Sequence, residues 1–215
     1  MSLSQKKWAM LFSAVLYTLS GYLFINHYLE THGAFHSLEI PLDRKIPYVS
    51  YFAVFYAFVY IEPVFTLLVV WKDYALIKVA FKAFLANAII CQVGHLFFPV
   101  QFDLRVVLHP PFSVFDQIVR FFYWIDGPSN CFPSLHVAAT FICARVIYLY
   151  HRSWYPYFFT VAWLVTLSTL FIRQHYLLDL AGGFAVYFLL RAIFLPKDLK
   201  ERKGLGVAEP VRLGA

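Results

Sequence analysis

Six apolar stretches separated by polar segments dominate the pattern of hydrophobic and polar positions. They cover residues 8–26, 48–70, 75–98, 135–150, 155–172 and 176–195. A helix needs roughly 20 apolar residues to cross the hydrocarbon core of a bilayer, and most of the stretches are close to or above that length. The pattern therefore predicts an all-α protein, an integral membrane bundle of six transmembrane helices. The fourth stretch is short, so we expect it to begin at or below the membrane surface.

The segments between and after these stretches complete the predicted organisation. Residues 99–133 form the longest one and contain an amphipathic piece from Pro111 to Ile125, which predicts a helix carried on this loop. A long loop without a span of its own is usually functional. We expect residues 1–203 to form a single six-span membrane domain. Residues 204–215 are polar, and we expect a disordered cytoplasmic tail there.

The first stretch has one other interpretation, a cleaved signal peptide. The hydrophobic region of a signal peptide is about 7–15 residues long. Residues 8–26 are longer than that and lack a clear cleavage site, so we expect an uncleaved first span.

Composition and charge agree with a membrane protein and orient it. The chain is 61% hydrophobic and only 14% charged, against about 25% charged in a soluble domain. The formal net charge of +6 comes mostly from short loops and the tail on the side of both termini. Because positive residues concentrate on the cytoplasmic side, we expect cytoplasmic termini and an extracytoplasmic site. The excess is then topological, which excludes nucleic-acid binding, and the small size suggests a bacterial inner membrane.

Two motifs place polar groups at the starts of the fourth and sixth stretches. N-C-F-P-S-L-H runs from Asn130 to His136, and R-Q-H-Y-L-L-D runs from Arg173 to Asp179. With six spans, both stretches begin on the outer face. A helix N-terminus favours phosphate, and the Ser134 hydroxyl and the Arg173 guanidinium would add hydrogen bonds to such an anion.

The histidines of these motifs predict acid–base and nucleophilic chemistry. His175 and Asp179 are four residues apart and share one face of a helix. The aspartate can fix the tautomer of His175 and leave its other nitrogen free to attack. His136, at the start of the other helix, can protonate a leaving oxygen and then activate water.

Together, P-S-L-H and the later R-Q-H-Y-L-L-D-L-A-G-G resemble the type 2 phosphatidic acid phosphatase superfamily. The H-Y-x-x-D pattern is most similar to the branch that includes inositol phosphorylceramide synthases. The resemblance spans about residues 97–183. It implies a six-span helical fold and metal-independent chemistry through a phosphohistidine, with no cofactor. His175 would be the nucleophile, Asp179 its partner and His136 the general acid, while Ser134 and Arg173 would hold the phosphate.

The first motif of that superfamily departs from its usual form here. It normally has a lysine followed seven residues later by arginine-proline. This chain has Phe98 at the lysine position, and Arg105 is the best candidate for the arginine. The resemblance leaves Arg120 or Gln101 as substitutes for the lysine. It also implies that Asn130 braces the loop before the serine-histidine motif.

The primary prediction is a lipid phosphatase that hydrolyses a phosphate monoester or diphosphate at the outer face. A phospholipid or a polyprenyl phosphate would be the substrate. The alternative within enzymes is a lipid phosphotransferase, in which an alcohol replaces water. A non-enzymatic channel or transporter is an alternative of another class, disfavoured by the few polar residues in the last three stretches. A metal enzyme using His136, His175 and Asp179 is another rival. The oligomeric state is open, with a homo-oligomer among the alternatives.

Overall fold

The computed structural model describes residues 2–196, and these contain α-helices and short turns but no β-strand. The helices are α1 (Leu3–His32), α2 (Ala53–Tyr56), α3 (Phe58–Val69), α4 (Tyr74–Phe97), α5 (Val114–Ile125), α6 (Leu135–Tyr150), α7 (Tyr155–Phe171) and α8 (Leu177–Phe194). The predicted all-α class is confirmed. The predicted disordered tail, residues 204–215, lies outside the described residues, as do residues 197–203.

Every predicted apolar stretch contains a helix, but the helices of the first two stretches differ from the prediction. The first helix starts at Leu3, because Ser2 and Gln5 form a capping box, and it continues to His32. The second stretch is divided by a turn at Ala57 into α2 and α3. The loop-borne amphipathic helix is present as α5, and its start is capped by Ser113 and Asp116.

Four helical segments of the described chain are long and apolar enough to cross a membrane. They are Leu3–His32, Ser50–Val69, Tyr74–Phe97 and Leu177–Phe194. The helices α6 and α7 have 16 and 17 residues and are shorter than these candidates. Several apolar helices are compatible with an integral membrane protein. The count of six crossings stays a prediction.

The core is built around α6. Nearly all of its side chains are buried, and it packs against α3, α4, α7 and α8. Small residues such as Ala138, Ala139 and Ala144 let neighbouring helices approach closely. By contrast, α1 packs mainly on α4 and exposes large apolar side chains, among them Phe12, Leu16 and Phe24. Exposed apolar side chains of this kind are expected on a helix that faces lipid.

Three loops meet over the ends of the helices at which α6 and α8 begin. Val100 lies between His36 and Asn130 in two isolated bridges, and the Phe102 amide donates to the Pro128 carbonyl. Beneath these contacts, Val100, Phe102, Cys131 and Tyr176 form a small apolar cluster. The loops therefore hold the segment that leads into α6 against the segment that leads into α8.

Candidate active site

The starts of α6 and α8 are joined by the main chain. The Ser134 amide donates to the carbonyl of Asp179 at 3.1 Å. Gly183 allows this approach, because a Cβ there would lie 2.7 Å from the Ser134 carbonyl oxygen. Ser134 also caps α6, and its hydroxyl accepts from the Val137 amide at 3.4 Å. The two predicted motifs, forty residues apart in sequence, are therefore adjacent in space.

His136, His175 and Asp179 form a buried line across this junction. His175 Nδ1 lies 3.3 Å from Asp179 Oδ2, and His175 Nε2 lies 3.3 Å from His136 Nδ1. The same Asp179 oxygen accepts from the Tyr176 amide at 2.8 Å, which fixes the carboxylate at the start of α8. The three side chains are at most 6% exposed. The structure thus brings together the three residues predicted to be catalytic.

The hydrogen bonds assign the protons of the two imidazoles. A carboxylate is an acceptor, so His175 Nδ1 carries the hydrogen that faces Asp179. When His175 is neutral, its Nε2 bears a lone pair, and His136 Nδ1 is the donor of the hydrogen bond between the two rings. The arrangement therefore presents a nucleophilic nitrogen beside a nitrogen that carries a proton. These are the two groups that nucleophilic displacement with general-acid assistance requires.

The guanidinium of Arg173 is bonded to the main chain of the loop between α1 and α2. It donates to the carbonyl of Asp43 at 2.8 Å and to the carbonyl of Ile46. Arg173 itself has a left-handed backbone conformation, with φ of 58°, which helps reverse the chain between α7 and α8. Arg173, which was predicted to bind phosphate, is thus two positions from His175 in sequence, and both of its terminal nitrogens donate to the loop.

Arg105 contacts the histidine motif through its glutamine. Its guanidinium donates to Gln174, the neighbour of His175, and to the carbonyls of Asp126 and Tyr123. It also lies over the Tyr123 ring, 4.5 Å from the centroid. Burial raises the pKa of the Tyr123 hydroxyl to about 12, although the charge of Arg105 acts in the opposite direction.

The three residues predicted to support the site make other contacts. Asn130 reaches the carbonyl of Tyr22 through its Nδ2 at 3.5 Å, and its Oδ1 is buried without a hydrogen bond. Arg120 is exposed and lies over the Phe112 ring. Gln101 donates to Asp103 at 2.9 Å. Among the hydrogen bonds of the described chain, none joins Arg120 or Gln101 to either histidine.

Two buried residues near the site were missed by sequence reasoning. His95 of α4 is 1% exposed, and its Nε2 donates to the carbonyl of Pro133 at 3.2 Å, which braces the segment before α6. Asp126 ends α5, and its carboxylate accepts from the hydroxyls of Tyr56 (2.6 Å) and Tyr60. The sequence did contain a signal for Asp126, because an acidic residue at the end of an apolar helix and four positions before Asn130 indicates a polar site.

A cavity of about 440 Å³ leads to the site between α1, α3, α4 and α6. His136 and Asp126 line one part of it, with Tyr22 and Tyr60 beside them. Most of the remaining lining is apolar, and it includes Leu11, Ala14, Leu19, Val64, Leu67 and Phe84. The volume lies in the range of small-molecule sites, about 300–1,000 Å³. The cavity therefore connects His136 with a mostly apolar space of small-molecule size.

One set of side chains could hold a metal ion. Possible ligand atoms of Cys131, His175 and Asp179 lie within 4.8 Å of one another, and all three residues are buried. A thiolate, an imidazole and a carboxylate suit zinc. Burial, together with the negative charge of Asp179, raises the pKa of the Cys131 thiol well above its ordinary value. A metal that binds the Cys131 sulfur would therefore have to displace a firmly held proton. The ligand set predicted from the sequence differs from this one, because it contains His136 in place of Cys131.

Comparison with known proteins gives one match. Residues 34–193 match the model of the PAP2 superfamily. No curated protein and no solved structure matches the chain.

Proposed function

This chain belongs to the PAP2 superfamily, and on that premise we propose that it cleaves a lipid phosphoester through a phosphohistidine. Members of the superfamily are generally phosphatases or phosphotransferases, and membership suggests a phosphatase-type function. The observation that carries the proposal is the buried line of Asp179, His175 and His136 at the joined starts of α6 and α8. No metal or cofactor takes part in the proposed steps.

In the first step, His175 Nε2 attacks phosphorus. The N–P bond forms, the bond from phosphorus to the leaving oxygen breaks, and that oxygen takes the Nδ1 proton of a doubly protonated His136, which is left as a neutral imidazole. Asp179 stabilises the positive charge that develops on His175. In the second step, water attacks phosphorus, the N–P bond breaks, and His136 takes the proton from water.

The closed spacing of the histidines has a consequence for this scheme. At 3.3 Å, His136 Nδ1 and His175 Nε2 are in direct hydrogen-bond contact, which leaves no room for a phosphoryl group between them. Substrate entry must therefore break this contact. The proton of His136 is then already directed at the position that the leaving oxygen will take.

Phosphate binding is proposed for the groups predicted from the motifs. Ser134 lies at the start of α6, where free main-chain amides and the helix dipole favour an anion. The Arg105 guanidinium donates to the side-chain amide oxygen of Gln174. To bind substrate, it would have to donate to a phosphate oxygen in place of this amide oxygen. Both arginines also donate to main-chain carbonyls, Arg105 to Tyr123 and Asp126 and Arg173 to Asp43 and Ile46, and would have to leave them to bind phosphate with the same nitrogens.

We propose hydrolysis of a phospholipid or polyprenyl phosphate, as a monoester or a diphosphate, with water as acceptor. The second candidate is transfer to an alcohol, as in the inositol phosphorylceramide synthase-like branch. Two observations favour that candidate: the H-Y-x-x-D pattern of residues 175–179 and Phe98 at the usual lysine position. The products separate the two, because hydrolysis of a monoester or diphosphate releases phosphate and transfer makes a new phosphodiester.

The proposed setting is a six-span membrane domain, in a bacterial inner membrane, with cytoplasmic termini and an extracytoplasmic site. The helical rise of about 1.5 Å per residue makes α6 and α7 roughly 25 Å long, slightly less than the hydrocarbon core. If both cross, the site at the start of α6 lies below the outer surface. A lipid phosphate that moves in the plane of the membrane would reach it from the side.

The test uses purified protein in detergent with a panel of lipid phosphates in the presence of EDTA. Wild type is compared with His175→Ala and with the matched control His109→Ala, which removes an exposed histidine of the loop between α4 and α5. We expect turnover that survives EDTA, is lost in His175→Ala and is kept in His109→Ala. Equal activity in wild type and His175→Ala would refute the assignment of the nucleophile, and loss of wild-type activity with EDTA would favour a metal enzyme.

A further inference from the structure

The segment that leads into α6 is held on one side by α4. His95, near the end of α4, donates from Nε2 to the carbonyl of Pro133 at 3.2 Å. The neighbouring Gly94 lets the two segments approach closely, because a Cβ there would lie 2.5 Å from Pro133 Cδ. The proposed general acid, His136, follows Pro133 on the same segment. The position of the general acid therefore depends on α4, which contains neither of the two motifs.

The Pro133 carbonyl has no partner within α6. In a helix, the carbonyl of the N-cap residue is the first to accept an intrahelical hydrogen bond. Ser134 is the N-cap, and its carbonyl accepts from the Ala138 amide at 3.4 Å. Pro133 precedes the N-cap and is buried, and among the hydrogen bonds of the described chain its carbonyl accepts only the one from His95. Removal of the His95 imidazole would therefore leave a buried acceptor unsatisfied.

His95 has the properties of a fixed donor. It is 1% exposed, and its Nδ1 is buried without a hydrogen-bond partner. A second proton on this ring would bury a charged N–H without an acceptor, which is unfavourable, so His95 donates as a neutral imidazole. No hydrogen bond of the described chain joins its ring to His136 or His175. His95 therefore acts on the site only through the main chain of Pro133.

The same segment is also bonded at two other points. The Ser134 amide donates to the carbonyl of Asp179 in α8 at 3.1 Å, and Asn87 of α4 donates to the carbonyl of Leu135 at 3.2 Å. Without the His95 donor, these two bonds keep α6 attached, while the Pro133 carbonyl must turn to find another donor. We therefore expect loss of His95 to move the segment before His136 and to leave the helix folded.

We propose that His95 is a positioning residue for the general acid. Through the Pro133 carbonyl, it fixes the segment that carries His136, and so the direction in which His136 Nδ1 presents its proton to the leaving oxygen. This inference rests on the proposed function and adds to it a residue outside both motifs. It assigns to His95 no contact with the substrate and no proton transfer.

The experiment compares two leaving groups, because a misdirected proton matters most where the leaving oxygen needs one. Dioctanoyl phosphatidate has an alkyl leaving oxygen that requires protonation, whereas p-nitrophenyl phosphate releases a stable anion. In His95→Leu we expect kcat to fall roughly tenfold on phosphatidate and less than about twofold on the nitrophenyl ester, with KM of both near wild type. In His95→Gln, whose amide nitrogen takes nearly the place of Nε2, most of the loss should be restored.

The matched control is Gln92→Leu. It removes a bond of the same kind from α4, since Gln92 Nε2 donates to the Thr18 carbonyl of α1 at 3.1 Å. We expect the ratio of the two kcat values to stay at its wild-type value in this variant. An equal loss on both substrates in His95→Leu, or a loss that His95→Gln does not restore, would overturn the inference. If His95→Leu does not fold, His95→Asn replaces it, because its shorter amide does not reach the Pro133 carbonyl.

A spectroscopic measurement separates this inference from the proposed function. In protein labelled with ¹⁵N-histidine, the ring-nitrogen chemical shifts report tautomer and hydrogen bonding, and the His136 signals are identified by their loss in His136→Gln. We expect His95→Leu to shift the His136 signals, and His95→Gln and Gln92→Leu to leave them as in wild type. Unchanged His136 signals in His95→Leu would overturn the positioning role. This result needs no turnover, whereas failure of the proposed function is decided by the activity of wild type and His175→Ala.

Discussion

The contact between Gly183 and Ser134 gives the sharpest prediction about catalysis. In Gly183→Ala, the new Cβ would lie 2.7 Å from the Ser134 carbonyl oxygen and 2.9 Å from Val137 Cβ. Neither atom can rotate away, because one belongs to the main chain and the other is the first atom of its side chain. Ordinary contact begins near 3.4 Å, so α6 and α8 must separate by roughly 0.7 Å.

That displacement acts on the two histidines directly. His136 and His175 belong to the two segments that are forced apart, and their contact is set by the same junction. A misplacement of about 1 Å can cost about 10²-fold in rate, so we expect kcat to fall roughly 10- to 100-fold. Overpacking typically costs about 1–3 kcal/mol of stability. The assay is kcat on the substrate identified with wild type, beside thermal unfolding in detergent.

The matched control is Gly21→Ala, which makes the same change at the contact of α1 with α4. The obstructing atoms there belong to the end of the Gln92 side chain, which can move. Any gain in helix propensity from alanine is present in both variants and cancels. Wild-type kcat in Gly183→Ala would refute the reasoning that this contact sets the histidine spacing. An equal loss in both variants would point to a general packing effect.

Three further predictions concern residues around the site. Arg173→Lys should lower stability by about 1–3 kcal/mol in thermal unfolding, because one ammonium group cannot replace a guanidinium that donates to the carbonyls of Asp43 and Ile46; unchanged stability with weaker substrate affinity would instead support phosphate binding by Arg173. Cys131 is buried and its pKa is raised, so we expect mass spectrometry to show no maleimide labelling of it at pH 8 until the protein is denatured, and labelling of the folded protein would contradict the described burial. The hydroxyl of Ser113 holds the pKa of Asp116 below its ordinary value, so the charged form stabilises the fold at neutral pH and this contribution is lost as pH falls through the folded-state pKa. Asp116→Asn should therefore be less stable than wild type at pH 7, with a gap in melting temperature that closes in acid, and a gap that widens in acid would contradict the assignment.

The helices and the pairing of His175 with Asp179 could be predicted because their signals are local. An apolar stretch of sufficient length predicts a helix. A spacing of four residues predicts that His175 and Asp179 lie on one face of a helix. The proximity of His136 followed from topology, since both motifs stand at helix starts on the same side. These inferences need no knowledge of side-chain contacts, and the geometry agrees with them.

The contacts of the two arginines and of Asp126 could not be predicted. Arg173 donates to a carbonyl some 130 positions away in sequence, at Asp43. The sequence around Asp43 contains no pattern that predicts where this loop lies in the fold. Asp126 depends on tyrosines of α2 and α3 that approach it only after the helices pack. Long-range packing decides such contacts. The extension of α1 to His32 was missed for a different reason, because its last turn is polar and helices were inferred from apolar length.

The main-chain bond between Ser134 and Asp179 has a consequence for how this protein can diverge. The relative position of the two motifs depends on amide, carbonyl and glycine contacts, and so on few side chains. Residues that line the cavity, such as Tyr22 and Tyr60, take no part in that framework. Mutation can therefore vary the cavity lining while His136, His175 and Asp179 keep their places. Under the proposed function, substrate preference and chemistry can then evolve as separate traits within one fold.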